Sequence, residues 1–174
     1  NGYGGSTSRY DSAALSRKAQ GLPDTSNISP VATNFGYFAG GGSLSSIDRI
    51  DYTNDTATAS TKGPLSVARG DAAGTGNSLF GYFGGGEPGP KSTVDRIDYS
   101  NDTATAVAKG PLSLARTNLS AMGNSSFGYF GGGQTPGLTA RSTVDRVDYA
   151  NDSPTAVTKG PLSSARYSSD ATGN

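Results

Sequence analysis

The sequence predicts an all-β fold of repeated four-stranded units, a four-bladed β-propeller whose last strand completes its first blade. Near-copies begin at Phe35, Phe80 and Phe127, so the period is 45 to 47 residues, the length of a propeller blade or solenoid unit. The copies contain β-branched and aromatic segments between turn residues, with no helical period. We therefore predict a single domain over residues 1–174 with repeats at 1–34, 35–79, 80–126 and 127–174.

Each full copy contains four predicted strands. In the copy that begins at Phe80, the strands are expected at 80–83, 93–99, 103–108 and 119–122. Asn and Asp at 101–102 and the Gly110-Pro111 pair predict turns between them, because these residues cap or break a strand. The last strand is rich in small residues, which favours a position near a narrow central axis.

The first 34 residues resemble a degenerate copy. Arg9-Tyr10-Asp11 stands where the other copies have an Asp-Arg-Ile/Val-Asp strand, and residues 13–20 replace the outer strand. A short helix over 12–19 is the alternative, since Ala, Leu, Arg and Lys favour helix. The chain starts at the glycine-rich strand and ends, at 167–174, with a small-residue strand. This phase predicts that the tail pairs with the first copy and leaves no sheet edge exposed.

The repeat resembles the kelch family of β-propellers. The segment VDRIDYSNDTAT aligns without a gap with a kelch blade pattern of the form VERYDPETNTWT, and FGYFGGG is similar to the family's glycine-ended strand. Pro111 and Arg116 also match. The resemblance implies four-stranded blades arranged around an axis.

The chain departs from the kelch pattern at its Trp position, where the three full copies carry Ala57, Ala104 and Pro154. Replacing a core Trp by Ala costs on the order of 3–5 kcal/mol when the space stays empty. The blades are therefore predicted to be thinner or more tightly closed. The runs NDTATA and KGPLS also resemble repeat tracts in virion-associated proteins of marine cyanophages, which implies a virion fibre or another extracellular surface.

Composition argues against several classes of function. The 14 basic and 14 acidic residues form no basic patch, which disfavours nucleic-acid binding. Without His or Cys the chain lacks the residues of a Ser-His-Asp triad or a common zinc site, so we predict no catalytic residues and no cofactor. Disorder is the alternative for a chain with 26 glycines, but the aromatics recur in fixed phase, which disorder does not require.

Asp95, Asp98 and Asp102 recur in every full copy together with Asn101. Oxygen ligands of this kind suit calcium when they converge. The alternative is an Asp-to-Arg ladder between blades plus an Asp-capped turn. We favour the ladder because the spacing is not that of an EF-hand loop.

The spacer after the glycine run is the part that differs most between copies. It is two residues long in one copy and grows to five (87–91) and eight (134–141) in the next two. Loops at one turn of each blade lie on one face of a ring, where binding sites are common. Drift in a solvent-exposed turn is the alternative. The candidate ligand-binding residues are Ser43, Leu44, Glu87, Lys91, Gln134, Thr135 and Arg141.

The sequence therefore predicts a non-enzymatic structural and recognition module that binds a glycan or a surface protein. We expect no membrane span, and the lack of an initiator Met or visible signal peptide suggests a mature product or an excised segment. The expected form is a monomeric ring or part of a larger virion assembly. One alternative is an architectural unit that assembles into a filament. The other is a carbohydrate-active hydrolase that uses paired carboxylates.

Overall fold

The computed structural model describes residues 34–173, and this part of the chain is all-β. It contains thirteen strands, one short 3-10 turn at Tyr99–Asn101 and no α-helix. The first sheet holds β1 (Phe35–Ala39), β2 (Ile47–Asp51) and β3 (Ser60–Lys62). The second holds β4 (Ala73–Gly76), β5 (Phe80–Gly84), β6 (Val94–Asp98) and β7 (Val107–Lys109). The third holds β8 (Ser120–Gly123), β9 (Phe127–Gly131), β12 (Val144–Asp148) and β13 (Val157–Lys159), and β10 (Gln134–Thr135) and β11 (Thr139–Ala140) form a separate hairpin.

Each sheet is an antiparallel meander, and its register repeats from copy to copy. In the second sheet Phe80 lies opposite Asp98 and Gly84 opposite Val94. The same pairing joins Phe35 to Asp51 in the first sheet and Phe127 to Asp148 in the third. The strand order β4-β5-β6-β7 is matched by β8-β9-β12-β13. The sequence repeat is therefore the structural repeat, as predicted.

The outer strand is shorter than the sequence suggested. It was predicted at 103–108, whereas β7 covers only Val107–Lys109. The preceding residues turn back, because the Ala104 amide donates to the Asn101 carbonyl at 3.2 Å. The Ala106 amide then donates to the Pro64 carbonyl of the previous copy at 2.8 Å. A contact to the neighbouring sheet thus replaces the expected strand pairing.

The apolar cores lie between successive sheets. One cluster joins Ile47 and Leu65 of the first copy to Ile97 and Ala106 of the second. The other cluster joins the second and third copies and is larger; it includes Tyr82, Val94, Leu112, Leu119, Phe130, Val147 and Tyr149. Tyrosines stack across both boundaries, with ring centroids 5.0 Å apart for Tyr37 and Tyr99 and 4.7 Å apart for Tyr82 and Tyr149. Each sheet is therefore stabilised mainly by its neighbours.

The missing Trp is explained by close approach of the backbone. A Cβ on Gly63 would lie 1.9 Å from the Ala104 carbonyl oxygen, and one on Gly110 would lie 1.8 Å from the Pro154 carbonyl oxygen. The Gly-Pro turn of one copy therefore rests on the position that carries Trp in the kelch pattern. The backbones of adjacent copies therefore leave no space for a large side chain at this point.

No closed ring is present among residues 34–173. Residues 167–173 form no strand, although they run beside the third sheet. The Ser168 amide donates to the Asn118 carbonyl at 2.8 Å, as the Asn118 amide does to the Asp71 carbonyl at 3.2 Å. The predicted partner of this tail, the degenerate first copy, lies outside the described residues, as does the alternative helix over 12–19. The single-domain boundaries and the blade count stay predictions.

The glycine of the Gly-Pro turn provides a matched test of the packing between sheets. We expect Gly110→Ala to lower the free energy of unfolding by about 1–3 kcal/mol, because its Cβ overlaps the Pro154 carbonyl and a filled boundary resists added atoms. Gly160→Ala, measured in dilute solution, is the control, since no atom lies within 4 Å of its added Cβ. Urea unfolding of both variants measures the difference. Equal effects at the two positions would contradict the packing described.

Candidate functional site

A buried ion pair joins the second and third sheets. Arg116 and Asp145 are both 0% exposed, and the Arg116 Nη2 atom lies 2.6 Å from the Asp145 carboxylate. Arg116 also donates to the backbone carbonyls of Gly132 and Thr143, and the Ser113 amide donates to Asp145 at 3.2 Å. The guanidinium therefore binds both the side chain and the main chain of the next sheet.

The same arrangement joins the first and second sheets. The Arg69 Nη2 atom lies 3.0 Å from the Asp95 carboxylate, and both side chains are fully buried. Ser66 donates to Asp95 through its amide at 2.9 Å and its hydroxyl at 2.6 Å, while Arg69 donates to the Phe83 carbonyl at 3.0 Å. Burial lowers the pKa of Arg69, and the Asp95 charge offsets part of this effect. The Asp-to-Arg ladder favoured by the sequence is therefore present at both boundaries.

A second carboxylate closes each boundary near the outer strands. Asp152 of the third copy accepts hydrogen bonds from the Tyr82 hydroxyl at 2.9 Å and from Arg96 at 2.8 Å. Its other oxygen lies 3.0 Å from the Lys109 Nζ atom. Burial opposes ionisation of Asp152, but the hydrogen bonds from Lys109 and Tyr82 and the charge of Arg96 outweigh it and lower its pKa. The carboxylate is therefore charged at neutral pH.

Asp102 occupies the equivalent position at the other boundary. It accepts from the Tyr37 hydroxyl at 3.0 Å and from Arg49 at 2.8 Å, and Lys62 lies 3.6 Å away. Burial and the hydrogen bond to Asp102 raise the pKa of Tyr37 to about 12. Tyrosine and two cations thus hold one carboxylate at each boundary.

The three aspartates proposed as weak calcium ligands do not converge. Asp95 faces Arg69 and Asp102 faces Arg49, whereas Asp98 accepts from the amide and hydroxyl of Ser100 in its own turn. No group of three or more metal-ligating side chains occurs within residues 34–173. The geometry of this region therefore supports the ladder and the Asp-capped turn.

The variable spacers leave the sheets at equivalent positions. The carbonyls of Leu44, Lys91 and Arg141 each accept a hydrogen bond from a backbone amide. The donors are the corresponding arginines of the three copies, Arg69, Arg116 and Arg166, at 3.0, 2.9 and 3.1 Å. Spacers of different length therefore begin and end at the same backbone positions in all three described copies. All three lie at the same end of their sheets, and their placement on one face of a ring stays a prediction.

Several candidate binding residues in the spacers make contacts inside their own loop. Gln134 and Thr135 are buried, and Arg141 donates to the Thr135 hydroxyl at 3.0 and 3.1 Å. The Lys91 Nζ atom donates to the carbonyl of Pro88, a residue of its own turn, at 3.0 Å. These side chains shape the loops and do not extend from them.

The exposed candidates lie at the turns of the spacers. Ser43, Leu44 and Glu87 are exposed, and Ser43 has a positive φ of 65°. Sequence reasoning missed Leu138, which is 78% exposed at the tip of the β10-β11 hairpin. The Pro136-Gly137 pair is the sequence signal for a turn here, and Gly137 adopts a positive φ of 80°.

Comparison with known proteins gives no family assignment: no protein-family model matches the chain, and no curated protein matches it. Within residues 34–173, no helix is long and apolar enough to cross a membrane.

Arg116 and Arg166 are equivalent residues in different surroundings, which makes them a matched pair. We expect Arg116→Met to lower the free energy of unfolding by about 3–5 kcal/mol, because it leaves the Asp145 charge buried without a partner. In dilute solution Arg166→Met should change it by less than about 0.5 kcal/mol, because Arg166 is exposed and surface substitutions have small effects. Chemical denaturation of both variants measures the contrast. Similar losses of unfolding free energy for Arg116→Met and Arg166→Met would show that the buried ion pair does not stabilise the fold more than an exposed arginine does.

The lowered pKa of Asp152 predicts a pH dependence of stability. A carboxylate with a lowered folded-state pKa stabilises the fold above its unfolded value, near 3.9, and this contribution is lost as the pH falls through the folded value. At pH 7, Asp152→Asn should lower the free energy of unfolding by about 1.5–3 kcal/mol. Below about pH 4 the difference in unfolding free energy between Asp152→Asn and the wild type should become smaller.

Denaturant unfolding across this pH range provides the measurement, with Asp55→Asn as the control at the exposed equivalent position. A gap for Asp152→Asn that stays constant from pH 7 to pH 2 would be inconsistent with a charged Asp152 in the boundary.

Proposed function

We propose that this chain is a non-enzymatic structural and recognition module built from kelch-like blades, which binds a glycan or a surface protein through its spacer loops. The observation that carries the proposal is the contrast between sheet boundaries that repeat the same ion pairs and tyrosine stacks and spacers that differ in length. Loops of this kind on a rigid scaffold are a common basis for recognition.

The charges at the described boundaries support a scaffold role. Asp95 and Asp145 each neutralise a buried arginine, and Asp102 and Asp152 are each held by a tyrosine and two cations. These carboxylates are engaged in joining sheets. Each of these carboxylates lies beside cations. A hydrolase that uses paired carboxylates instead requires two carboxylates that face each other across the substrate.

The chemistry of the loop tips indicates the kind of ligand. Leu138 projects into solvent beside Pro136 and Thr139, which are also exposed, and Glu87 offers an exposed carboxylate on the neighbouring spacer. An apolar tip near hydrogen-bonding groups suits the mixed surface of a sugar or of a protein. The resemblance to cyanophage repeat tracts favours a virion or other extracellular surface as the setting.

The finer architecture that the sequence predicts is a ring of four blades, in which residues 1–34 form the fourth blade and the tail supplies its inner strand. This closure within one chain and the association between chains argued in the next section exclude each other. One observation supports the ring. Ser168 has a positive φ of 49°, as do Asp71 (49°) and Asn118 (53°) just before the inner strands of the second and third sheets. The tail therefore begins as another inner strand would.

A second candidate function is an architectural unit that associates with copies of itself. The specific observation in its favour is a pair of uncovered faces at the two ends of the described array, which are taken up in the next section.

Exchange of the longest spacer tests the recognition function. Replacing residues 134–141 by the Ser43-Leu44 spacer should retain the fold at a lower melting temperature. Leu44 and Arg141 make the same backbone contact to the following arginine, but the change removes the two backbone hydrogen bonds between Gln134 and Thr117. Binding to a glycan array or to the cognate surface should be lost. Leu138→Ser, which alters only the exposed tip, should weaken binding without changing the melting temperature. Full binding by the short-spacer variant would defeat the loop assignment.

A further inference from the structure

The two end sheets of the described array expose the same kinds of residues that the internal boundaries bury. At each internal boundary, the earlier sheet contributes tyrosine, arginine and lysine side chains, and the later sheet contributes phenylalanine, tyrosine and aspartate side chains. The third sheet carries the first set with no later sheet described against it. The first sheet carries the second set with no earlier sheet described against it. The two faces are therefore complementary halves of one boundary.

The uncovered face of the third sheet carries four hydrogen-bond donors, two of which, Tyr129 and Arg166, line a cavity. Tyr129, Arg146, Lys159 and Arg166 are the counterparts of Tyr82, Arg96, Lys109 and Arg116. A cavity of about 200 Å³ lies among Tyr129, Gly131, Val144, Leu162 and Arg166. A Cβ on Gly160 would meet no atom within 4 Å, whereas the equivalent Gly63 and Gly110 rest on the next sheet. Among residues 34–173, no further sheet lies against this face, whereas its counterparts each have one.

The uncovered face of the first sheet carries the matching groups. Phe38 is 68% exposed, whereas its counterpart Phe130 is 0% exposed and packs against Gly84 of the preceding copy. Tyr52 is 64% exposed, whereas its counterpart Tyr149 is buried and stacks on Tyr82. Asp48 and Asp55 are the counterparts of Asp145 and Asp152. Within residues 34–173, neither carboxylate forms an ion pair with an Arg or Lys side chain.

We infer that the first sheet of a second copy of this chain docks on the third sheet and forms a head-to-tail interface that repeats the internal boundaries. Phe38 of the second copy occupies the cavity, and its Tyr52 stacks on Tyr129. Asp48 pairs with Arg166, while Asp55 accepts from Tyr129 and lies between Arg146 and Lys159.

Charge favours this orientation. The face of the third sheet carries three cations and one carboxylate, Asp170 in the lining of the cavity, and the face of the first sheet carries two carboxylates. Since the two faces are different surfaces of one chain, the contact is heterologous, and it produces a closed ring of copies or an open stack. Two faces of the same kind would bring like charges together, which disfavours a symmetric contact.

Residues 1–33 are the competing partner within the same chain, and their sequence fits less well. When Arg9-Tyr10-Asp11 is aligned with Arg49 to Asp51, the positions of Asp48, Tyr52 and Asp55 are occupied by Ser8, Ser12 and Leu15. The segment NGYGG also lacks the second Phe of FGYF, which is the position of Phe38. None of the four groups needed by the third sheet is present in that copy, whereas a second copy supplies all of them.

Complementation between two variants tests the inference. Phe38→Ser disables only the face of the first sheet, and Arg166→Ser disables only the face of the third sheet. Sedimentation velocity of the full chain over a range of concentrations should show association for the wild type. Each variant alone should associate at least roughly tenfold more weakly, as expected when an interface anchor is truncated. An equimolar mixture should form dimers that do not grow further, because each partner retains one intact face.

Leu138→Ser and the short-spacer chain serve as controls and should associate like the wild type, so failure of loop recognition is distinguishable from failure of this interface. Tyr52→Ser replaces Phe38→Ser if the latter lowers the melting temperature. A wild-type chain that stays monomeric at every concentration would overturn the inference and favour closure by residues 1–33. A mixture that forms no dimers would also overturn it.

Discussion

The buried arginine-aspartate pair between successive sheets is the interaction on which the rest of this structure depends. Arg116 binds the Asp145 carboxylate, the Gly132 carbonyl after the glycine-rich strand β9 and the Thr143 carbonyl just before β12. It therefore fixes both the separation and the rotation of two sheets. An ion pair without water gains little net free energy, but removal of one partner is costly. We expect its main effect to be on specificity, because the observed arrangement of neighbouring sheets satisfies both charges and other arrangements would leave them buried without partners.

The small apolar content of the chain explains why the boundaries contribute so much. The sheets are short, 26 residues are glycine, and only 33% of the sequence is hydrophobic. Among residues 34–173 no single sheet holds a core of its own, since both apolar clusters lie between copies. Stability in such an array is a sum of nearest-neighbour contacts, so within this region each end sheet has contacts on one side, and the two uncovered faces differ in chemistry.

Much of this fold could be predicted because the repeat fixes many residues at once. The glycine-rich strand, the Asp-Arg strand, the turns and the Asp-to-Arg ladder all followed from residues that recur in phase. The start of the outer strand did not, because the Ala106 amide bonds to Pro64 of another copy, a contact that no local pattern encodes. The burial of Gln134 and the exposure of Leu138 depend on a hairpin found in only one copy. Because the other copies lack this hairpin, comparison between copies could predict neither the burial of Gln134 nor the exposure of Leu138.

The most direct test of the account is a double-mutant cycle on Arg116 and Asp145. The free energy of unfolding is measured for the wild type, Arg116→Met, Asp145→Asn and the double variant. If the pair determines how sheets join, the two changes should be strongly non-additive, with a coupling energy of about 2 kcal/mol or more, within the range seen for residues in direct contact. Additive effects, within about 0.5 kcal/mol, would contradict the claim that this pair holds the sheets together.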